Sequence, residues 1–251
     1  MELKDFFAQH PKVAVAFSGG VDSAYLLYAA RAAGAQTMAY YVHSPFQPAF
    51  ELEDAERLCR ELNQPLRILE ADPLGDPRVR ANPDNRCYYC KQTIFGLIRR
   101  AAAEDGYSVL LDGTNASDDA ADRPGMRALT ELEVLSPLRL CGITKAQVRA
   151  LSREAGLFTW DKPAYACLAT RIPTGQEITA EALRRVEQAE TALARLGFRD
   201  FRVRLVGDAA KLQVTCGQLP MVLEHREQIL ETLSPLFGAV TLDLQPRKAS
   251  Q

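Results

Sequence analysis

Apolar positions in the first part of the chain switch between two spacings, and the switching predicts strands and helices in turn. Val13–Phe17 is a short apolar run that stops at Ser18-Gly19-Gly20. From Ser23 to Ala33, the residues Ala24, Leu27 and Ala30 fall at helical spacing, and Gly34 follows as a helix-closing glycine. Thr37–Val42 predicts a second strand, Glu51–Leu62 a helix with Leu52, Ala55, Leu58, Cys59 and Leu62 on one face, and Leu66–Leu69 a third strand. A loop rich in Pro, Gly, Asp and Asn occupies 72–86. A helix over 89–104, a strand over 109–111, a short fifth strand over 133–135 and a helix over 145–155 complete the series, the last capped by Thr144 and stopped by Gly156. Strands alternating with helices predict an α/β fold with a doubly wound parallel sheet.

The pattern changes near residue 160. Thr159–Gly175 is irregular and holds two prolines. Thr179 caps a long helix running to about Leu196. Phe201–Val206 and Lys211–Cys216 predict two strands around Gly207-Asp208, a hairpin turn. Leu219–Leu233 predicts a helix and Val240–Leu244 a closing strand, with Gln245–Gln251 as a frayed tail. The expected organisation is a domain over 1–160 and a smaller α+β domain over 161–251.

Composition narrows the classes. The chain has 251 residues, 47% hydrophobic and 25% charged, which suits a globular protein with its own core. A net charge of −2 argues against stable nucleic-acid binding or a hold on anionic lipid, while leaving room for a local basic pocket. The polar opening Met1-Glu2-Leu3-Lys4-Asp5 lacks the apolar core of a signal peptide. No apolar run approaches the ~20 residues that span a bilayer. A cytoplasmic protein with reduced thiols is expected. Its six cysteines are too few for a disulfide scaffold, so closely spaced ones point to metal binding or catalysis.

Ser18-Gly19-Gly20-Val21-Asp22-Ser23 lies between the first strand and the first long helix, where ligands bind in a doubly wound sheet. The glycines allow close backbone approach, the helix N-terminus offers free N–H groups to an anion, and Asp22 is placed to hold Mg²⁺ beside phosphates. There is no Gly-Lys-Ser/Thr of a Walker A loop. The string resembles the PP-loop, S-G-G-x-D-S, of the ATP pyrophosphatase superfamily, whose fold is adenine nucleotide alpha hydrolase-like. That resemblance implies cleavage of ATP to AMP and pyrophosphate with adenylation of a substrate oxygen. It makes Ser18, Gly19, Gly20, Asp22 and Ser23 the nucleotide loop. With a strand order of 3-2-1-4-5, Asp112-Gly113-Thr114-Asn115 after the fourth strand faces that loop, so Gly113 and Thr114 join the nucleotide site. His43 and Ser44 end the second strand, where adenine has backbone groups to dock against.

Two further strings carry cysteines. Asn85-Arg86-Cys87-Tyr88-Tyr89-Cys90-Lys91 opens a helix, where thiols become more acidic. Lys162-Pro163-Ala164-Tyr165-Ala166-Cys167-Leu168-Ala169-Thr170-Arg171-Ile172-Pro173 lies at the junction of the two regions. Cys59, on an apolar helix face, and Cys216, alternating with Leu212 and Val214, read as inert core cysteines, and Cys141 is undecided. Together with the PP-loop, the two strings resemble the LarE family, over nearly the whole chain. The resemblance implies adenylation of a pyridinium dicarboxylate mononucleotide, displacement of AMP by sulfur, and a thiocarboxylate product. It makes Cys167 the sulfur-bearing residue. Family members with one cysteine sacrifice its sulfur, whereas those with an added C-x-x-C hold a 4Fe–4S cluster. Cys87, Cys90 and Cys167 match the three-cysteine pattern, so ATP, Mg²⁺ and a 4Fe–4S cluster are the expected cofactors; zinc or a Cys87–Cys90 redox pair remain open.

Alternation in Phe201-Arg202-Val203-Arg204-Leu205 sends the apolar residues to the core and leaves Arg202 and Arg204 together on the other face, about 7 Å apart, with Lys211 and Gln213 alongside if the hairpin pairs. Such a pair suits a phosphate or carboxylate, and it resembles the family's substrate-phosphate site. Thr170 and Arg171 complete the expected substrate pocket. Glu190 reads by default as a helix-surface glutamate, while the resemblance, which places metal-binding carboxylates in this region, makes it a weaker site candidate. The expected partner is a small nucleotide substrate, and the chain is expected to form a homo-oligomer. A tRNA thiolase, an ammonia-delivering synthetase and an adenine-nucleotide sensor are the rival readings.

Overall fold

The computed structural model describes residues 2–118 and 123–248. In chain order its helices are α1 (Leu3–Gln9), α2 (Val21–Ala32), α3 (Ala49–Glu61), α4 (Pro77–Arg80), α5 (Arg86–Glu104), α6 (Arg123–Glu131), α7 (Pro137–Leu140), α8 (Lys145–Glu154), α9 (Ala180–Arg195), α10 (Leu219–Glu224) and α11 (Arg226–Leu233). Its strands are β1 (Lys12–Ala16), β2 (Gln36–His43), β3 (Leu66–Glu70), β4 (Leu110–Leu111), β5 (Arg202–Val206), β6 (Ala209–Gln213) and β7 (Ala239–Leu242). The chain divides into two compact units, Met1–Pro73 with Asn85–Lys162, and Leu74–Asp84 with Pro163–Gln251. Among the described residues no helix is long and apolar enough to cross a membrane.

The first unit is built on a parallel sheet of order β3-β2-β1-β4. Successive residues of its strands enter opposite cores. Val13, Val15, Ala39 and Tyr41 pack with α2, α3 and α8 on one side. Ala14, Tyr40 and Val42 pack with Ile98 and Ala101 of α5 and Leu129 of α6 on the other. Burial on both faces is what a doubly wound sheet requires of its strands. The expected fifth strand is reduced to one parallel bridge, Leu111 to Leu135. Glu133 has φ +55 and Pro137 opens α7, so no length remains for a ladder.

The second unit carries a sheet of order β5-β6-β7, with β5 and β6 joined by the Gly207-Asp208 turn and β6 parallel to β7. Gly207 has φ +59, the left-handed conformation such a turn needs. Thr179 caps α9 by accepting from the Ala182 N–H. The helix expected over 219–233 is broken at His225, which ends α10, opens α11 and hydrogen-bonds the Gln228 side chain three residues on. The tail expected to fray from Gln245 is held as far as Arg247, whose N–H donates to the Val214 carbonyl at 2.8 Å; residues 249–251 lie outside the described residues. Residues 74–84, in the expected loop, supply α4 and Asn82. The Asn82 side chain donates to the Pro173 carbonyl, and its own carbonyl accepts from Gly175 N–H.

Candidate functional site

In the first unit, β1 ends at Ala16 and the chain turns through Ser18-Gly19-Gly20 into α2. Gly19 has φ +71, and a Cβ there would lie 2.9 Å from the Glu51 carbonyl oxygen, so no other residue fits this turn without movement. Ser23 Oγ ties the loop together, meeting Ser18 Oγ at 3.2 Å and donating to the Gly20 carbonyl at 3.2 Å. Gly20 is the N-cap of α2, and no side chain among the described residues caps it. The first-turn amides of α2 therefore keep their capacity for an anion.

The turn after β4 meets this loop. A Cβ on Gly113 would lie 2.9 Å from the Ser23 nitrogen, which fixes how closely the two turns approach. Asn115 is fully buried and donates to Asp22 Oδ1 at 3.2 Å. Thr114 and Ser136 both donate to Asp112. Burial nonetheless holds the Asp112 carboxyl above the ordinary carboxylate range, against the pull of those hydrogen bonds.

Two lysines complete the group, neither of them assigned to the nucleotide loop from the sequence, although Lys162 opens the string that carries Cys167. Lys145, the first residue of α8, places Nζ 2.5 Å from Asp22 Oδ2. Lys162 donates to the Gly19 carbonyl at 3.2 Å and pairs with Asp54 at 2.6 Å. The chain has no Walker lysine, yet two ammonium groups stand at its loop. Asp22 keeps a hard carboxylate at the edge of that loop, which suits a Mg²⁺ carried by ATP phosphates. His43 and Ser44 are engaged with Glu70 and Gln47 respectively, so the end of β2 offers its side chains to local contacts.

Cys87 lies in the first turn of α5 and Cys90 at the start of the next, and both are half-buried. Arg86 is buried beside Cys87, with NH2 3.7 Å from Cys87 Sγ and NH1 lacking a hydrogen-bond partner among the described residues. Cys59 is buried in the core and its thiol is pushed up to about 12 by burial. Cys141 is half-buried and burial raises its thiol also. Cys216 departs from the inward position expected of it: β6 ends at Gln213, a 3-10 turn begins at Cys216, and the residue is exposed.

In the second unit, the segment carrying Cys167 covers the face of β5 opposite the core. Val203 and Leu205 are buried inward, as their alternation requires. On the other face Arg202 donates to the Ala164 carbonyl at 2.5 Å, and Arg204 to the Thr170 carbonyl at 2.7 Å. Cys167, Thr170, Arg171, Arg202 and Arg204 are thus brought together. The hairpin register sets Arg202 opposite Gln213 and Arg204 opposite Lys211.

Two residues take roles other than those expected. Arg171, read as a substrate contact, is 1% exposed and is spent within the protein. Its Nε and NH2 meet the two oxygens of Glu190 at 2.9 and 3.0 Å, and its NH1 reaches the carbonyls of Ala166 and Cys167. Glu190, read as a surface residue, is 4% exposed, and it also accepts from Val203 N–H at 2.8 Å and from the Tyr165 hydroxyl. Arg171 holds the backbone on either side of Cys167, and Glu190 holds Arg171. Four donors on two oxygens leave Glu190 little capacity for a metal. Tyr165 lies between two guanidinium groups, 4.4 Å from Arg171 and 5.1 Å from Arg202. Burial first, and then the charges of Arg171 and Arg247, draw the Arg202 guanidinium down to about 10.

Among the described residues no three His, Cys, Asp or Glu side chains gather as a metal-binding group. Cys87 and Cys90 belong to the first unit and Cys167 to the second. Their fit to a cluster lies in donor chemistry: three thiols outside any disulfide, two of them about one helical turn apart on α5, with the buried Arg86 beside Cys87.

A parallel 3-2-1-4 sheet with an S-G-G-x-D-S turn at the mouth of its central strand defines a PP-loop protein. No protein-family model matches the chain. It is 35% identical over 247 residues to an uncharacterised protein of Synechocystis, covering 97% of this chain and 92% of that one. It is 32% identical over 236 residues to the pyridinium-3,5-bisthiocarboxylic acid mononucleotide synthase of Lactiplantibacillus plantarum, covering 93% and 86%. A tRNA-specific 2-thiouridylase of Pseudothermotoga lettingae is 24% identical over 187 residues, covering 60% and 54%. The chain belongs to the LarE-type family of PP-loop enzymes.

Proposed function

We propose that the chain is an ATP-dependent sulfur transferase that converts a substrate carboxylate to a thiocarboxylate, with pyridinium-3,5-biscarboxylic acid mononucleotide as the substrate. The observation that carries this reading is the setting of Cys167, whose flanking backbone is clamped by Arg171 beside the Arg202 and Arg204 side chains. The relative from Lactiplantibacillus is named for a bisthiocarboxylic product, which supports the chemistry.

In the first unit, the α2 amides, Lys145 and Lys162 neutralise the triphosphate, an electrostatic task. Asp22 holds Mg²⁺ and sets the position of Lys145. Attack of the substrate carboxylate on the α-phosphorus releases pyrophosphate and leaves an acyl adenylate. A sulfur nucleophile then displaces AMP. Arg202 and Arg204 bind the substrate's anionic group. Cys87, Cys90 and Cys167 would hold a 4Fe–4S cluster, which when bound supplies an open iron for hydrosulfide.

A second reading has Cys167 give up its own sulfur and become dehydroalanine. The Arg171 clamp on the Cys167 backbone lies wholly within the second unit, which suits it. In the decisive assay the anaerobically purified chain is incubated with ATP, Mg²⁺ and the dicarboxylate mononucleotide. Substrate-dependent AMP and pyrophosphate, with a thiocarboxylate by mass spectrometry, is the expected result. ADP with orthophosphate would overturn the reading. Changing Arg202 and Arg204 to Ala should raise the substrate KM more than tenfold, since loss of a desolvated charge contact typically costs about 2–5 kcal/mol, while the KM for ATP stays unchanged.

A further inference from the structure

The C-terminal segment brings one more guanidinium to the arginine pair of the second unit. Arg247 forms a parallel bridge with Thr215, and its NH2 donates to Asp200 Oδ1 at 3.2 Å. The same carboxylate oxygen lies 3.9 Å from Arg202 NH1. Asp200 therefore faces both guanidinium groups, from a backbone held at φ +47. The charge of Arg247 is felt at both Arg202 and Arg204.

Donor capacity remains on these side chains. Nε of Arg247 is buried and has no acceptor among the described residues. Arg204 spends Nε on Gln213 at 2.6 Å and NH1 on the Thr170 carbonyl, and its NH2 meets no acceptor among the described residues. A buried donor left unpaired is costly, and a ligand oxygen is what would satisfy it. The charges point the same way. Arg171, Arg202, Arg204, Arg247 and Lys211 face Glu190, Asp200 and Asp243. Two positive charges are left unanswered, the complement of a phosphate monoester dianion.

We propose that Arg247 is the third guanidinium of this anion site and that, with Arg202 and Arg204, it binds the phosphate monoester of the substrate. The proposal rests on the reading of Arg202 and Arg204 given above. Asp200 acts as a positioning residue, since it orients Arg247 and Arg202 without being an anion binder itself. Guanidinium forks suit phosphate oxygens because each offers paired donors in a plane.

The test is a calorimetric titration of the full chain with ribose 5-phosphate, in the presence of Mg²⁺ and saturating α,β-methylene ATP so that the PP-loop is occupied. Ribose is the control. The wild-type chain should bind the phosphate ester and not ribose. Arg202→Gln and Arg204→Gln should each weaken binding tenfold or more, and Arg247→Gln at least fivefold. If the first two weaken binding and Arg247→Gln does not, the inference falls and the reading of Arg202 and Arg204 stands. If none of the three weakens it, that reading falls and the inference with it. Should Arg247→Gln not fold, Arg247→Lys, which keeps the charge but not the fork, should weaken binding two- to threefold, and an unchanged affinity overturns the inference.

Discussion

Asp22 and Lys145 are 123 positions apart in sequence, and their side chains meet at 2.5 Å at the start of two different helices. An ammonium held by the loop's own carboxylate is positioned before any nucleotide arrives. Asp22→Ala should abolish pyrophosphate release while leaving the far-ultraviolet circular dichroism unchanged. Lys145→Met should raise the KM for ATP about tenfold or more, the scale of a lost desolvated charge contact. A Lys145→Met chain with wild-type ATP kinetics would remove the lysine from the phosphate site.

The Arg171–Glu190 pair is buried on both sides, at 0% and 5% side-chain exposure. Removing one partner of such a pair strands the other charge and typically costs about 3–5 kcal/mol. Glu190→Ala should lose stability of that order in urea unfolding, and Glu190→Gln, which keeps acceptors for Val203 and Tyr165, should lose less. Equal losses for the two variants would mean that the lost charge alone sets the cost and that the hydrogen bonds to Val203 and Tyr165 add nothing.

The cysteines separate the two sulfur chemistries. With a cluster, Cys87→Ala, Cys90→Ala and Cys167→Ala should each lose iron and activity after anaerobic purification. With a sacrificial cysteine, only Cys167→Ala is inactive, turnover stops at one per chain, and the spent protein is lighter by one H₂S. Iron analysis and intact-protein mass spectrometry decide between them.

Asp112 gives the stability a pH dependence. Its folded carboxyl is raised by burial, so the folded state binds the proton more tightly than the unfolded chain. This group's contribution is most favourable below the ordinary carboxylate range and declines as pH rises through the window up to its raised folded value. Urea midpoints from about pH 4 to about pH 8 should fall less steeply with pH in Asp112→Asn than in the wild type. Parallel curves would show that the raised carboxyl has no part in stability.

Much of the fold was legible because its signals are local. Thr144 and Thr179 cap the helices they were expected to cap, and Val13 to Phe17 alternates between two cores as a central strand must. What escaped depends on contacts distant in sequence or on a backbone turn. Nothing local marks Lys145 as a partner of Asp22, and a glutamate on a helix such as Glu190 reads as solvated until its arginine is known. Glu133 turns the chain with a positive φ where periodicity predicted a strand. Cys216 kept the inward rhythm of Leu212 and Val214 on paper, but the strand had already ended. Arg247 sits in a polar stretch that composition marks as a tail.

Residues 74–84 leave the ribosome long before the body they pack with. Asn82 finds its acceptor 91 positions later, at Pro173, and Arg80 accepts from Ile178 N–H through its carbonyl. During synthesis this stretch must wait, joined at both ends to chain that belongs to the first unit. Closing so long a loop is slow relative to local helix formation. The second unit therefore assembles last, and a fragment beginning at Pro163 lacks a piece of its own body, so the unit that carries Cys167 matures only after the unit that carries the PP-loop.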